Sequence, residues 1–252
     1  VGSWVSMARE IQCTEVWGGV TACDVSVKLA GLRGECFSRP YRGAEAGGDI
    51  HFLSVCGLTI LSKIVLADVS GHGEETASIS RSIHDALIAN IGAHDNSTML
   101  QQVNETFLGR AREGDPVRFT TMVSMILDSR DRSLVYAYAG HPSVLRGHAS
   151  TGRFAPLEAE TRRLSGIPLW ILPGTSYEQQ TVTLDPGDVL VVYTDAFTEE
   201  IGTDGSRPGD EGLARLLESS PTMRPADLKE HVLSAYGAGF ADDASLIVLE
   251  VL

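Results

Sequence analysis

The stretch Ala67-Asp68-Val69-Ser70-Gly71-His72-Gly73-Glu74-Glu75 (ADVSGHGEE) lies between an apolar run and a segment with helical periodicity. The run that leads into it, Ile64-Val65-Leu66-Ala67, is typical of a buried strand. The segment from Glu74 to His94 carries its apolar residues close to the helical period, and its two leading glutamates favour a helix N-terminus. The sequence therefore predicts a strand, a loop and a helix. Asp68 ends the strand, and the glycines let the backbone approach its carboxylate closely.

The composition is that of a soluble globular protein. The chain has 252 residues, of which 43% are hydrophobic and 21% are charged. Its 33 acidic and 20 basic residues give a formal charge of −13, and the basic residues form no cluster. We therefore expect neither nucleic acid nor an anionic membrane as a partner. Carboxylates that converge in such an acidic chain could instead hold cations.

The cysteines and the hydropathy pattern bear on the compartment. The sequence shows no apolar run near the roughly 20 residues that span a bilayer, and no signal peptide. Its cysteines show no CxxC pair and no zinc-like spacing, so we expect a reducing, cytoplasmic location. They are Cys13, Cys23, Cys36 and Cys56.

Strand and helix patterns alternate along the chain without a repeat or a break in composition. They predict one α+β domain in which helices pack outside antiparallel sheets. Two hairpins are expected, residues 119–127 with 134–140 and residues 181–184 with 189–193 across Asp185-Pro-Gly-Asp188. The other expected elements are strands 49–55, 60–69 and 245–251, helices 3–12, 74–94, 98–112, 211–219 and 225–236, and an N-cap at Asn96 or Ser97.

Aspartates stand at the ends of four predicted strands. Asp49 begins one strand and Asp68 ends the next, so antiparallel pairing would bring both carboxylates to one edge of the sheet. Asp195 follows strand 189–194, and Asp242 and Asp243 precede the last strand. Crowded carboxylates repel each other unless a cation joins them, and Mg²⁺ and Mn²⁺ prefer oxygen ligands. An aspartate in such a position is also a common turn residue or helix cap, so the positions alone leave both interpretations open.

Five segments, in order, resemble the metal-dependent protein phosphatases (PPM type), specifically the bacterial SpoIIE-like branch. The resemblance covers roughly residues 40–252. The segments are Ala46-Gly-Gly-Asp49, Asp68-Val-Ser-Gly-His-Gly73, Tyr138-Ala-Gly-His-Pro142, Asp185-Pro-Gly-Asp188 followed by Tyr193-Thr-Asp195, and Ala241-Asp-Asp-Ala-Ser245.

This resemblance implies an α-β-β-α sandwich, that is, two mainly antiparallel sheets flanked by helices. It assigns residues 41–252 to the phosphatase domain. Residues 1–40 are then an N-terminal helix with leading strands, which could link to a region outside this sequence. One domain overall is expected.

The resemblance also implies a centre with two Mn²⁺ or Mg²⁺ ions. Asp49, Asp68, Asp195 and Asp242 match metal-ligating and catalytic positions, and the backbone carbonyl of Val69 matches a further ligand. Asp243 is the less certain member of its pair. The implied reaction is hydrolysis of phosphoserine or phosphothreonine by a dimetal-activated water. The implied protein substrate is an anti-sigma-factor antagonist.

One departure from the family pattern leaves two other functions open. The family commonly has Thr-Asp-Gly where this chain has Thr194-Asp195-Ala196, and alanine restricts the turn that would shape the second metal site. A catalytically silent adaptor that binds a partner protein is therefore an alternative, and so is a phosphoesterase for small molecules.

Four further residues invite functional roles, although structural roles account for them more simply. His72 and His141 are interpreted as structural. Arg39 and Arg42 could contact a substrate phosphate, with surface ion pairs as the simpler expectation.

Overall fold

The computed structural model describes residues 8–56, 58–71, 73–93, 95–108, 118–157, 166–199, 208–237 and 239–252. Within these residues the chain forms thirteen strands, five α-helices and one short 3₁₀ helix at Tyr41–Gly43. The strands are β1 Arg9–Glu10, β2 Val16–Thr21, β3 Cys23–Leu29, β4 Leu32–Arg39, β5 Ala46–Cys56, β6 Leu61–Val69, β7 Thr120–Asp128, β8 Ser133–Ala139, β9 Leu145–Gly147, β10 Phe154–Pro156, β11 Gln179–Thr183, β12 Val189–Tyr193 and β13 Ala244–Val251. The helices are α1 Glu74–Ala89, α2 Asn96–Leu108, α3 Ala196–Glu199, α4 Gly209–Glu218 and α5 Pro225–Tyr236.

The strands form two sheets. The seven-stranded sheet has the order β1-β3-β4-β13-β12-β9-β10, and the six-stranded sheet has the order β11-β8-β7-β6-β5-β2. The named strands pair antiparallel except β1 with β3, which is parallel. No helix in the described ranges is long and apolar enough to cross a membrane.

Apolar side chains fill three layers. The layer between the sheets holds Leu53, Tyr136 and Ile247 among others. A second layer packs α1 and α2 on the six-stranded sheet, and a third packs α3, α4 and α5 on the seven-stranded sheet. The predicted α-β-β-α sandwich is confirmed.

Strand β5 shows how the sequence sets the direction of the side chains. Successive residues of a strand point to opposite faces of the sheet. Ile50 and Phe52 therefore pack in the helical layer, while Leu53 and Val55 pack between the sheets. Asp49 lies four residues before Leu53 and therefore on the same face of the strand, so its carboxylate points into the space between the sheets.

The predicted N-terminal helix, residues 3–12, is wrong where the structure describes it. Residues 1–7 lie outside the described residues, and Arg9–Glu10 is a strand that pairs with Val27 and Lys28. Ile11 is buried between the sheets, which fixes this segment in an extended path along the sheet edge.

The N-cap predicted for α2 is also wrong. Asp95, rather than Asn96 or Ser97, accepts a hydrogen bond from the backbone N–H of Thr98 at 2.6 Å. The Asn96 side chain instead accepts from Ser124 and donates to the carbonyl of Val135.

The predicted hairpin of residues 181–184 with 189–193 does not form. Strand β11 pairs with β8 in the six-stranded sheet, whereas β12 pairs with β9 and β13 in the seven-stranded sheet. The turn between them passes from one sheet to the other. Asp188 holds this turn in place, because its buried carboxylate accepts from Arg146 Nε at 2.8 Å and from two backbone N–H groups at 3.0 Å.

Substituting Asp188→Asn should lower the free energy of unfolding by about 2–3 kcal/mol, because the buried Arg146 guanidinium loses its buried charged acceptor and keeps only the exposed Asp185, at 3.5 Å. The matched control is Asp185→Asn, three residues away, whose side chain is 79% exposed. It should cost less than about 0.5 kcal/mol. Urea denaturation of both variants measures the difference, and equal losses would contradict this role of Asp188.

Candidate metal centre

The register of β5 and β6 places Asp49 directly opposite Asp68. Both residues also lie near the end of the hairpin where α1 begins. The two carboxylates therefore meet at one edge of the six-stranded sheet, as the sequence predicted.

The seven-stranded sheet brings its own aspartates to the same edge. Thr194 and Asp195 directly follow β12, while Asp242 and Asp243 directly precede β13. The backbone N–H of Thr194 donates to the carbonyl of Ser245 at 3.1 Å, which keeps the two strand ends side by side.

A threonine hydroxyl joins the two sheets at this edge. Thr194 Oγ1 donates to Asp49 Oδ2 at 3.0 Å and accepts from the backbone N–H of Ser245 at 3.0 Å. The same edge thus gathers the four predicted acidic ligands, two from each sheet.

The carboxylates raise one another's pKa. Burial, followed by the charges of Asp195, Asp242 and Asp243, raises the pKa of Asp68 to about 8. Burial and then the charge of Asp68 raise the pKa of Asp49 well above its usual range. These shifts mean that the ionised cluster is costly without a compensating positive charge.

The donor atoms fit hard divalent cations. Asp49 is 2% exposed, and its Oδ1 atom is buried without a hydrogen-bond partner. A buried carboxylate oxygen without a partner costs free energy unless a ligand binds it. Mn²⁺ and Mg²⁺ prefer oxygen ligands and could bind it here. Within the described residues, no three carboxylates place oxygens within 4.8 Å of one another, so the cluster is wider than the shell of one ion.

Asp242 and Asp243 have different surroundings. Asp243 is buried, and its two oxygens accept hydrogen bonds from the backbone N–H groups of Tyr41 and Gly48, each at 2.6 Å. Asp242 is exposed, and its Oδ1 accepts from the backbone N–H of Asp243 at 2.8 Å. Asp243 therefore fastens the turn at Tyr41 and the start of β5 to the start of β13, while Asp242 faces solvent beside the cluster.

Two glycines allow this close packing. A Cβ atom at Gly47 would lie 2.3 Å from Asp243 Oδ1, and one at Gly48 would lie 2.8 Å from the carbonyl oxygen of Val69. The Val69 carbonyl, a predicted ligand, thus lies against the start of β5 at the same edge.

Comparison with known proteins agrees with this geometry. Residues 62–252 match the family model described as Stage II sporulation protein E (SpoIIE). The chain belongs to the SpoIIE family. The resemblance seen in the sequence is confirmed.

Solved structures share the fold of this SpoIIE-family chain. The RsbU and RsbW domains of Rv1364c from Mycobacterium tuberculosis align with a TM-score of 0.73 at 23% identity, over 93% of this chain and 62% of that one. RsbX in complex with magnesium aligns at 0.68 and 16% identity, over 91% of this chain and 100% of that one. The PP2C phosphatase domain of SpoIIE from Bacillus subtilis, with a fragment of its regulatory domain, aligns with a TM-score of 0.69 at 16% identity. The alignment covers 95% of this chain and 64% of that one. The chain thus spans less than two thirds of the first and third of these structures.

The departure from the family pattern at Ala196 is accommodated. Ala196 begins α3 and is not among the residues with positive φ, so the backbone there does not require glycine. Alanine therefore causes no strain beside Asp195 in this SpoIIE-family chain.

The other residues considered in the sequence have mixed outcomes. His72 lies outside the described residues. His141 is buried, with Nδ1 at 2.9 Å from Thr121 Oγ1, and burial lowers its pKa to about 3, which agrees with a structural role. The Arg39 guanidinium lies over the rings of Phe37 and Phe240, a contact that the sequence did not predict.

Sequence reasoning missed the parts played by Thr194 and Ser245. Both belong to the motifs that resemble the SpoIIE family, yet neither was assigned a role. A hydroxyl residue directly before a strand-end aspartate was the available signal, because such a side chain can donate to a neighbouring carboxylate.

Proposed function

We propose that this chain is a metal-dependent serine/threonine protein phosphatase. The observation that carries the proposal is the convergence of Asp49, Asp68, Asp195 and Asp242 at one edge of both sheets, with raised pKa values on the first three. Membership of the SpoIIE family and the shared phosphatase fold support it.

Each residue has a distinct part in the proposal. Asp49 and Asp68 would hold one Mn²⁺ or Mg²⁺ ion together with the Val69 carbonyl. Asp195 and Asp242 would hold the second ion, while Asp49 is oriented by Thr194. When bound, the two ions supply an activated water for in-line attack on phosphorus and offset charge on the phosphoryl oxygens.

The family resemblance and the solved relatives support a protein substrate. Their names include RsbU, RsbX and SpoIIE. We therefore propose the phosphoserine or phosphothreonine form of an anti-sigma-factor antagonist as the substrate. We also propose that the exposed Arg42, whose guanidinium lies over the ring of Tyr41, contacts the substrate phosphate. A cytoplasmic location is part of the same proposal, and the four free cysteines are consistent with it.

The test is phosphate release from a phosphoserine anti-sigma-factor antagonist. We expect release with Mn²⁺ present, its loss on adding a chelator, and its return with excess Mn²⁺. A small phosphate ester assayed in parallel should be a much poorer substrate if the protein surface contributes to recognition. Release that is unaffected by the chelator would contradict the metal mechanism. Mn²⁺ binding without release from either substrate would favour the silent adaptor.

A further inference from the structure

Two cysteines and a histidine meet inside the sandwich. Cys23 on β3 and Cys36 on β4 belong to the seven-stranded sheet, and His51 on β5 belongs to the six-stranded sheet. Their sulfur and nitrogen atoms all lie within 4.8 Å of one another. Among the described residues this is the one such trio of cysteine, histidine, aspartate or glutamate side chains.

The spacing matches a tetrahedral metal site. Zn–S bonds of about 2.3 Å and Zn–N bonds of about 2.05 Å at tetrahedral angles separate two sulfurs by about 3.8 Å, and a sulfur from a nitrogen by about 3.6 Å. The two sulfurs here are 3.8 Å apart, and Cys23 Sγ lies 3.6 Å from His51 Nε2.

Within the part of the chain that the structure describes, the His51 ring lacks a strong hydrogen-bond partner. His51 is 2% exposed, and its Nε2 atom faces the Cys23 sulfur, a weak hydrogen-bonding partner. Burying an imidazole in this way is costly unless a ligand occupies the space in front of it.

We propose that Cys23, Cys36 and His51 bind one Zn²⁺ ion, which ties β5 of one sheet to β3 and β4 of the other. Two thiolates and a neutral imidazole around Zn²⁺ form a group of zero net charge, whereas Cu⁺ would leave a net negative charge in the interior. Cys36 is fully buried, and the partly exposed Cys23 gives the fourth coordination position a route to water.

This site differs in chemistry from the carboxylate cluster. Sulfur and imidazole donors select zinc, while carboxylate and carbonyl oxygens select Mg²⁺ and Mn²⁺. His51 follows Asp49 by two residues and points to the same side of β5. The zinc site would therefore hold the strand that carries Asp49, and it does not depend on the proposed phosphatase activity.

Cobalt substitution tests the site directly. The full chain, reduced, freed of metal and dialysed against excess Mg²⁺, is titrated with Co²⁺. We expect one equivalent to give sulfur-to-cobalt charge-transfer absorption and the visible bands of tetrahedral Co²⁺, and one equivalent of Zn²⁺ to remove both. No thiolate absorption at equimolar Co²⁺ in the reduced, folded protein would overturn the proposal.

Variants identify which side chains bind the ion. Cys36→Ala and His51→Asn should each weaken Zn²⁺ binding at least tenfold, whereas the double variant Cys13→Ala/Cys56→Ala should keep it. Asp68→Asn should also keep it, because that residue belongs to the oxygen cluster. Binding of Cu⁺ but not Zn²⁺ would overturn the proposal, as would a Cys23–Cys36 disulfide that resists reduction. Because the cobalt spectrum is recorded on the unmodified chain, the test stands even if a variant fails to fold.

Discussion

Asp68→Asn should lower Mn²⁺-dependent phosphate release by about a thousandfold or more. The amide keeps the size of the side chain but removes the charge placed among Asp49, Asp195 and Asp242. A two-metal centre stabilises the transition state by several kcal/mol, and each 1.36 kcal/mol of lost stabilisation slows the reaction tenfold. Steady-state kinetics at saturating Mn²⁺ measures the loss.

The matched control is Asp85→Asn, an exposed aspartate on α1. It should retain the rate of the unmodified chain within about twofold, because it lies on the solvent face of the helix and contributes no ligand. If Asp68→Asn kept more than a tenth of the activity, the assignment of Asp68 as a ligand would be wrong.

The same substitution should stabilise the metal-free protein at pH 8. The pKa of Asp68 rises from its ordinary value of 3.8 to about 8 in the folded chain. Between these pH values the folded state keeps a proton that the unfolded chain has released, so the free energy of unfolding falls as pH rises. With chelator present, the unmodified chain should lose about 2–4 kcal/mol between pH 5 and pH 8 through this group.

Asp68→Asn removes that dependence because asparagine does not titrate. Urea denaturation at pH 5 and pH 8, with chelator, compares the two proteins. If the free energy of unfolding depended on pH in the same way in both proteins, Asp68 would not be the source of the repulsion among the carboxylates. Saturating Mn²⁺ should stabilise the unmodified chain at pH 8 much more than the variant.

The neighbouring aspartates Asp242 and Asp243 should give opposite results. Asp243→Ala should lower the free energy of unfolding by about 3–5 kcal/mol, because two backbone N–H groups, of the partly buried Tyr41 and the buried Gly48, lose their charged acceptor. Asp242→Ala should change stability by less than about 1 kcal/mol, because its side chain is exposed, yet it should abolish most Mn²⁺-dependent activity.

Thermal or urea denaturation with chelator, together with the phosphatase assay, measures both variants. Asp243→Asn is the second variant for the buried position, since it keeps one acceptor and should fold better than the alanine form. If Asp242→Ala were the less stable protein and Asp243→Ala the inactive but stable one, the two roles would have to be exchanged.

Local patterns in the sequence were sufficient for much of this fold. Apolar runs and a short turn predicted the hairpin of β5 and β6, and the antiparallel register followed, with Asp49 opposite Asp68. Helix α5 was predicted at its observed bounds because Pro225 and the apolar period mark it clearly.

Contacts between distant strands lay outside such reasoning. The turn from Asp185 to Asp188 has the sequence of a hairpin turn, and only the strand pairings, β11 with β8 and β12 with β9 and β13, show that it crosses between sheets. The cysteines lack zinc-like spacing along the chain, yet the pairing of β3 with β4 and the packing of the sheets bring Cys23 and Cys36 to His51.

The sequence predicted which aspartates meet at this edge, but not the residues that support them. Strand ends located Asp195 and Asp242, whereas the separate duties of Asp242 and Asp243 depend on which backbone N–H groups reach each carboxylate. Because the two residues are adjacent and identical, the sequence does not show which backbone N–H groups bond to each of them. The link from Thr194 to Asp49 likewise depends on how the two sheets stack.

Crystals grown with Mn²⁺ and measured at the manganese absorption edge test the central claim most directly. Two anomalous peaks should lie among Asp49, Asp68, Asp195 and Asp242, one of them within bonding distance of the Val69 carbonyl, and at least one should vanish in Asp68→Asn. Anomalous peaks found only elsewhere on the molecule, or none at millimolar Mn²⁺, would contradict it.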